Sequence, residues 1–264
     1  MYAFEYQRPA NRAAATAASH TDARYLAGGQ SLVQAMRLRL SSSERLIDLG
    51  GIADLKGIRV EADKVTIGAM TTHAEVARSA ELRKALPALA ELAEGIGDPM
   101  VRNMGTIGGS IANADPAACY PAAVLGLNAT IQTDKRSIAA DDFFKGLYET
   151  ALQPGELITA VSFPIAQKAA YIKFKQAASR FALVGVFVGQ GKDGVRVGVT
   201  GCKGSAFRAT PIEQALAKSF TADAAKAVKM PATDINGDMH GSAEYRAAMI
   251  SVMAARAVAA ALAR

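Results

Sequence analysis

Two glycine-rich segments hold the residues of this chain that are best suited to binding chemistry. The first, Ala27–Leu32, has the sequence Ala-Gly-Gly-Gln-Ser-Leu between a predicted strand and a predicted helix. Glycine leaves room for backbone N–H groups to converge on an anion, and the start of a helix adds partial positive charge. The segment has neither the Gly-x-Gly-x-x-Gly fingerprint nor the Gly-Lys-Ser/Thr of a Walker loop. By itself it fits either an anion-binding turn or a plain tight turn.

The second segment, Gly105–Pro116, again combines a Gly-Gly pair with small polar side chains. Thr106, Ser110 and Asn113 carry hydroxyl and amide groups that can bond phosphate or ribityl oxygens at close range. Asp115 and Pro116 predict the start of a helix. Two such segments in one chain indicate a ligand with two phosphates that is held from both sides. A purely structural loop is the alternative for this segment on its own.

Metal and redox chemistry has little support in the sequence. The two cysteines, Cys119 and Cys202, cannot form a Cys-x-x-Cys pair or hold an iron–sulfur cluster. The histidines His20, His73 and His240 are far apart and have no partner at metal-ligand spacing. No acid–base dyad or activated nucleophile is recognisable. We therefore expect no catalytic residue and no metal site of the chain's own.

The composition is that of a folded protein. Of 264 residues, 50% are hydrophobic and 20% are charged, so a large core can form. The net charge of +6 is not gathered into basic runs, which argues against nucleic-acid binding. No apolar run reaches the roughly 18 residues that a bilayer span needs, and the N-terminus lacks a signal-peptide core. These features predict a cytoplasmic protein without a transmembrane segment.

The first glycine segment is placed by a small βαβ unit in residues 1–55. A strand ends near Ala27, a helix covers Gln30–Leu40, and a second strand covers Arg45–Leu49. Residues 56–167 then begin with a hairpin and a helix start at Thr72, where Glu75 completes a capping box. A helix is predicted over Pro87–Glu94.

The second glycine segment is placed by a different part of the chain. Residues 95–109 are predicted to be a long turn-rich stretch, which in a compact domain is usually functional. A helix over Pro116–Gly126 follows it. After Pro164 the pattern changes to three successive strands, with Gly191–Gly194 as a hairpin turn, and then to helices that end with Ser242–Leu262. The predicted domains are residues 1–167, divided near residue 55, and residues 168–264.

The two glycine segments, taken in order, give the sequence a specific resemblance. The chain resembles the FAD-binding medium subunit of the xanthine dehydrogenase/carbon monoxide dehydrogenase family of molybdenum hydroxylases, from Phe4 to about residue 260. The stretches between and beyond the glycine segments that also resemble the family are residues 38–50, 65–76, 96–109, 143–159 and 173–186.

The resemblance implies an α+β fold with a two-subdomain FAD-binding domain of the PCMH/vanillyl-alcohol-oxidase type. A C-terminal α+β domain with a three-stranded antiparallel sheet and helices would follow it. FAD would lie in the cleft, with both glycine segments around its pyrophosphate and with Ile96, Gly97 and Ile158 near its rings. The positions that match the family's cofactor contacts are Leu26, Ala27, Gly28, Gly29, Gln30, Ser31, Leu32, Ile96, Gly97, Gly105, Thr106, Ile107, Gly108, Gly109, Ser110, Asn113, Asp115, Cys119, Ile158 and Lys175.

Three positions qualify that assignment. Many relatives have an acidic residue where this chain has Cys119, which we expect to be a small buried residue. Some relatives have a histidine in place of Gln30, and its absence predicts non-covalent FAD. Lys175 matches a lysine near the flavin, Lys173 is its rival, and both are predicted on one face of a strand. His73 is expected to be a surface residue at a helix start.

The resemblance also implies a function. The chain would pass electrons from two [2Fe-2S] clusters on a small subunit, through FAD, to an external acceptor. Substrate would react at molybdopterin on a large subunit, in a heterotrimer or a dimer of heterotrimers. An assembly module with little FAD and a free-standing flavin enzyme are the alternatives. The substrate and the acceptor are both left open.

Overall fold

The computed structural model describes residues 1–264, which form four β-sheets and twelve α-helices. The helices are α1 (Arg12–Ala17), α2 (Leu32–Arg37), α3 (His73–Arg78), α4 (Ala80–Ala85), α5 (Pro87–Glu94), α6 (Pro99–Met104), α7 (Ile107–Asn113), α8 (Tyr120–Gly126), α9 (Ala140–Phe143), α10 (Thr210–Lys218), α11 (Ala222–Ala227) and α12 (Ala243–Leu262). The strands are β1 (Glu5–Gln7), β2 (Ala23–Leu26), β3 (Arg45–Asp48), β4 (Ile58–Val60), β5 (Lys64–Gly68), β6 (Thr130–Thr133), β7 (Ser137–Ala139), β8 (Phe144–Gly146), β9 (Glu149–Thr150), β10 (Ile158–Pro164), β11 (Lys168–Lys175), β12 (Ala182–Gly191), β13 (Gly194–Thr200) and β14 (Phe207–Arg208).

The N-terminal sheet is a parallel unit in the order β1-β3-β2. Parallel neighbours need a crossover connection, and α1 and α2 supply the connections here. A small apolar cluster around Ala15, Ile47 and Leu55 lies under this sheet. The predicted βαβ unit is confirmed, and the first glycine segment connects β2 to α2.

The central sheet is antiparallel in the order β4-β5-β10-β6-β7. Its core face packs on α3, α5, α7 and α8 in the largest apolar cluster of the chain. The C-terminal sheet has the order β11-β12-β13-β14, with α10, α11 and α12 against a second cluster. The three predicted strands are present, and the short β14 is an addition that the sequence pattern did not indicate.

The central and C-terminal sheets meet at α8. Gly126 on α8 leaves room for Phe187, since a β-carbon there would lie 2.8 Å from the phenyl ring. Gly198 on β13 faces the helix backbone, and its β-carbon would lie 2.1 Å from the carbonyl oxygen of Ala122. Phe187 is fully buried in the same apolar cluster as the central sheet. The closeness of this packing therefore depends on the missing glycine side chains.

Two predictions about the middle of the chain were wrong. The turn-rich stretch over residues 95–109 contains α6 and the start of α7, because Asp98 and Thr106 cap these helices through their side chains. The helix predicted from Pro116 begins only at Tyr120. The carbonyl of Pro116 instead accepts the N–H of Gly201 at 2.7 Å, so residues 116–119 are held against the C-terminal sheet.

The expectation about membrane spans also needs correction. Helix α12 has 20 residues and a mean hydropathy of 1.3 in its most apolar window, so it meets a bilayer span's length and composition. However, 56% of that window is buried inside the protein. Its buried side chains, such as Ile250 and Val258, belong to the cluster under the C-terminal sheet. Core packing accounts for the apolar sequence of this helix.

We predict that Gly198→Ala destabilises the protein by about 1–3 kcal/mol, because the new methyl group collides with the backbone of α8. Gly191→Ala is the control, since a β-carbon at the far end of β12 meets nothing within 4 Å. Urea unfolding of both variants measures the free energies. Equal losses in the two variants would contradict the close-packing account.

Candidate functional site

The first glycine segment bends sharply between β2 and α2. Gly29 has a φ of 71°, in the left-handed region that glycine adopts without strain. Gly28 has no room for a side chain, since its β-carbon would lie 2.0 Å from the carbonyl oxygen of Met104. This contact seats the segment directly against the end of α6, immediately before the second glycine segment.

The backbone N–H groups of the first segment are not used within the protein. None of the N–H groups of residues 27–31 donates a hydrogen bond to a backbone or side-chain acceptor. Ser31 makes no capping bond with its hydroxyl, and Gln30 reaches only the carbonyl of Gly28, at 3.5 Å. The segment is half-buried, apart from the exposed Ser31. Such unpaired donors in succession form a concave site for an anion.

The second glycine segment differs from the first in this respect. Most of its N–H groups are engaged: Ile107 donates to Thr71 and Gly108 to Ala69, at 3.1 and 2.8 Å to the carbonyl oxygens. Gly109 donates to the side-chain oxygen of Thr106 at 3.2 Å, which caps α7. Sequence alone suggested two equivalent anion-binding turns. The structure shows one turn in which all the N–H groups are free and one in which most are occupied, with the N–H of Thr106 as the exception.

Two side chains of the second segment are also unpaired. Ser110 and Asn113 are half-buried, and neither side chain has a hydrogen-bond partner in the protein. They are three residues apart on α7, so they share one face of the helix. Their hydroxyl and amide groups are free to bind a polar ligand.

The fold brings the two segments into contact. Besides the contact of Gly28 with Met104, Ala27 lies against Gly109, where a β-carbon would be 3.2 Å from that of Ala27. The free N–H groups of one segment and the free side chains of the other therefore belong to one region. The side chains of Ile107 and Ile158 are buried in the main core instead, and Ile96 packs against it from the edge.

His73 supports the second segment from behind. The capping box of Thr72 and Glu75 is confirmed, but the expectation of a surface histidine is wrong, because His73 is only 5% exposed. The backbone N–H of His73 donates to the carbonyl of Gly105 at 2.9 Å. A β-carbon at Gly105 would be 2.6 Å from Nε2 of the ring. Burial, with a smaller effect of Arg102, lowers the pKa of His73 to about 4, so the ring is neutral.

Segment Gly95–Gly97, after α5, is held by three cations. The carbonyl of Gly95 accepts from Lys173 at 2.9 Å, that of Ile96 from Arg102 at 3.0 Å, and that of Gly97 from Arg180 at 3.1 Å. These contacts have no signal at the level of sequence, since backbone acceptors are not specified by residue type. Positive charge is therefore concentrated beside two of the predicted cofactor contacts.

Cys119 and the two candidate lysines can now be placed. Cys119 is buried as expected, and its sulfur accepts from Nζ of Lys173 at 3.4 Å. Leu183 of β12 has no partner on β11, so the register shifts by one residue between Phe174 and Lys175. The bulge lies on β12 and leaves β11 a continuous strand, so a shared face for Lys173 and Lys175 stays a prediction. Lys175 is exposed and makes no hydrogen bond or ion pair, so its ammonium is free, whereas that of Lys173 is engaged.

Asp115 ends the second segment without starting a helix. Ala114 has a φ of 47° and closes α7, and Asp115 then accepts the N–H of Ala117 at 2.8 Å. The hydroxyl of Tyr148 donates to the other carboxylate oxygen at 3.4 Å. Tyr148 has a φ of 55°, which is rare for a bulky side chain and is concentrated at functional sites.

One metal-type cluster contradicts the expectation that no histidine has a partner. His20, Asp22 and Glu44 place one ligand atom each within 4.8 Å of one another. All three residues are exposed, and exposed acidic groups of this kind are common in proteins without a bound ion. The cluster lies on the N-terminal sheet and belongs to no glycine segment.

We predict that lowering the pH from 7 to 5 destabilises the protein through His73 by about 2 kcal/mol. The folded-state pKa of about 4 lies below the unfolded value of about 6.5, so stability is present above pH 6.5 and falls towards pH 4. Urea unfolding of His73→Leu should show a smaller difference between the two pH values. His240→Gln, at an exposed position, should keep the wild-type difference.

Comparison with known proteins agrees with this geometry. Residues 2–166 match the family model described as FAD binding domain in molybdopterin dehydrogenase. The carbon monoxide dehydrogenase medium chain of Hydrogenophaga pseudoflava is 37% identical, over 99% of this chain and 98% of that protein. The nicotine 6-hydroxylase medium subunit of Paenarthrobacter nicotinovorans is 34% identical, over 90% and 89%.

The solved structures extend the likeness to the whole fold. Reconstituted CO dehydrogenase from Oligotropha carboxidovorans superposes with a TM-score of 0.89 at 36% identity, over 100% of this chain and 99% of that one. The family model covers more than half of this chain, and the relatives match nearly end to end. This chain belongs to the family of FAD-binding medium subunits of molybdenum hydroxylases.

Proposed function

We propose that this chain binds FAD non-covalently and passes electrons from iron–sulfur clusters on a partner subunit to an external acceptor. The observation that carries the proposal is the contact between the two glycine segments. One segment offers free backbone N–H groups, and the other offers the free side chains of Ser110 and Asn113. A dinucleotide with a central pyrophosphate and polar ribityl and ribose groups has matching acceptors and donors.

The donor set fits FAD in both charge and shape. The N–H groups of residues 27–31 would bind the pyrophosphate, since an anion satisfies donors that the protein leaves unpaired. Gln30, in the position where a covalent histidine occurs in some relatives, offers no nucleophilic nitrogen. When bound, FAD would supply the electron-transfer chemistry, and the protein would bind it and exclude competing reactions.

Lysine and arginine charges would act on the ring end of the site. Lys173, Arg102 and Arg180 all bond to segment Gly95–Gly97, so their positive charge favours a cofactor that becomes more negative on reduction. Lys175 has a free ammonium and is the lysine that can contact the cofactor directly. We propose this division of roles between the two lysines of β11.

Partner subunits are part of the proposal. The relatives are named medium chains or medium subunits, which implies a larger and a smaller companion. Both cysteines of this chain are free and buried, and one of them contacts Lys173, so iron–sulfur clusters belong elsewhere. We propose a large molybdopterin subunit and a small iron–sulfur subunit, in a heterotrimer or a dimer of heterotrimers in the cytoplasm.

The substrate of such a complex is chosen on another chain. Relatives of similar identity are named for carbon monoxide, glyceraldehyde and nicotine. The proposal therefore stops at the electron-transfer role and does not include a substrate or an acceptor.

We expect the purified full-length chain, or its complex, to show the visible absorption of flavin, and the flavin to be released by acid denaturation because no covalent bond holds it. ADP, which has a pyrophosphate, should compete with FAD, whereas adenosine should not, since the first segment binds the phosphates. Protein that shows no flavin absorption even after FAD is added would favour an assembly module instead.

We expect Ser110→Ala and Asn113→Ala to raise the Kd for FAD by about three- to tenfold each without changing the free energy of unfolding, because each side chain is unpaired in the protein. Thr106→Ala serves as the contrast. It removes the cap of α7 and should cost about 1 kcal/mol of stability. Fluorescence titration gives the Kd and urea unfolding gives the stability. An unchanged Kd in both Ser110→Ala and Asn113→Ala would show that the side chains of α7 do not bind FAD.

A further inference from the structure

The three cations on segment Gly95–Gly97 come from different parts of the chain. Arg102 lies on α6, close in sequence to the carbonyl that it binds. Lys173 lies on β11, and Arg180 lies in the connection between β11 and β12. These two residues are 78 and 83 positions away from their acceptors. Two bonds therefore join the C-terminal sheet to a segment of the FAD-binding region.

All the hydrogen-bond donors of the Lys173 ammonium are used at this junction. An ammonium group has three hydrogens, and Nζ of Lys173 has three acceptors: the carbonyl of Gly95 at 2.9 Å, the carbonyl of Arg180 at 2.9 Å, and the sulfur of Cys119 at 3.4 Å. The side chain thus connects the segment, the β11–β12 connection and the start of α8. No carboxylate takes part, so none of this is an ordinary surface ion pair.

Arg180 is held in a conformation that costs free energy. Its φ of 62° is in the left-handed region, which is unfavourable for a residue with a β-carbon. The N–H of Arg180 donates to Gln176 at 2.8 Å, and that of Gln176 donates to Phe181 at 2.9 Å, so the connection forms a closed turn. The closed turn presents the carbonyl of Arg180 to Lys173 and its guanidinium to Gly97.

We propose that Lys173 and Arg180 form a cation latch, which holds the β11–β12 connection against segment Gly95–Gly97 and so retains FAD in the cleft. Both are positioning residues in this role, since their hydrogen bonds are made to that segment and to the β11–β12 connection. Gly97 has a φ of 44°, in the left-handed region, and its carbonyl accepts the bond from Arg180 at 3.1 Å. The role in retaining FAD rests on the proposed function, whereas the latch itself rests on the contacts alone.

The test uses the full-length chain with Arg180→Gln, Lys173→Met and Arg180→Lys. Lys192→Met is the control, because it removes one lysine from the exposed hairpin between β12 and β13 on the same sheet. Amide hydrogen exchange of residues 95–98 reports the latch with or without FAD. The rate of FAD release, measured by the recovery of flavin fluorescence, reports retention.

We expect faster exchange at residues 95–98 and about tenfold faster FAD release in Arg180→Gln and Lys173→Met, since each loses a charged hydrogen bond. Arg180→Lys should restore most of the slow exchange and most of the slow FAD release, and Lys192→Met should match the wild type in both measurements. Unchanged exchange in Arg180→Gln and Lys173→Met would overturn the latch. Faster exchange with unchanged FAD release would overturn its positioning role. A wild-type chain that binds no FAD would instead refute the proposed function, and exchange alone would then decide the latch.

Discussion

The contact between Gly28 and the end of α6 is the constraint on which the candidate site depends. Because a side chain at Gly28 would collide with the carbonyl of Met104, only glycine lets the first segment reach the second. In this arrangement the N–H groups of residues 27–31 have no acceptor within the protein. An unpaired donor in a half-buried region is costly, so an anion bound there, as we propose, would stabilise both the turn and its contact.

The second glycine segment differs from the first, because it is held by hydrogen bonds that its own N–H groups donate. Its N–H groups bond to Thr71, Ala69 and the side chain of Thr106, and His73 fills the space behind Gly105. Because most of the segment's N–H groups are bonded within the protein, its contribution to a ligand would come mainly from side chains such as Ser110 and Asn113 on α7. In the proposed site the two similar glycine pairs would therefore have different roles: the first would supply backbone donors, and the second would supply shape and side chains.

The C-terminal sheet completes the region through two kinds of contact. Tight packing of α8 against Gly198 fixes the sheet, and the cations of β11 and its following turn bind the carbonyls of Gly95–Gly97. Apolar packing sets the distance between the two parts of the chain. Directional bonds from the cations then set the conformation of the segment beside the proposed ring site.

Local patterns determined most elements and one half of the site. The sequence by itself determined the capping box at Thr72, the helix Pro87–Glu94 and the glycine turn before α2, since caps, prolines and Gly-Gly pairs act over a few residues. It missed α6 and α7, whose signals are caps and not apolar periodicity. Tertiary structure alone decided that His73 is buried, that Lys173 meets Cys119 from 54 residues away, and that only the first turn keeps all its donors free. The physical reason is that hydrogen-bond partners such as Ala69, Thr71 and Gly95 are backbone groups, which every residue carries and which only the fold can select.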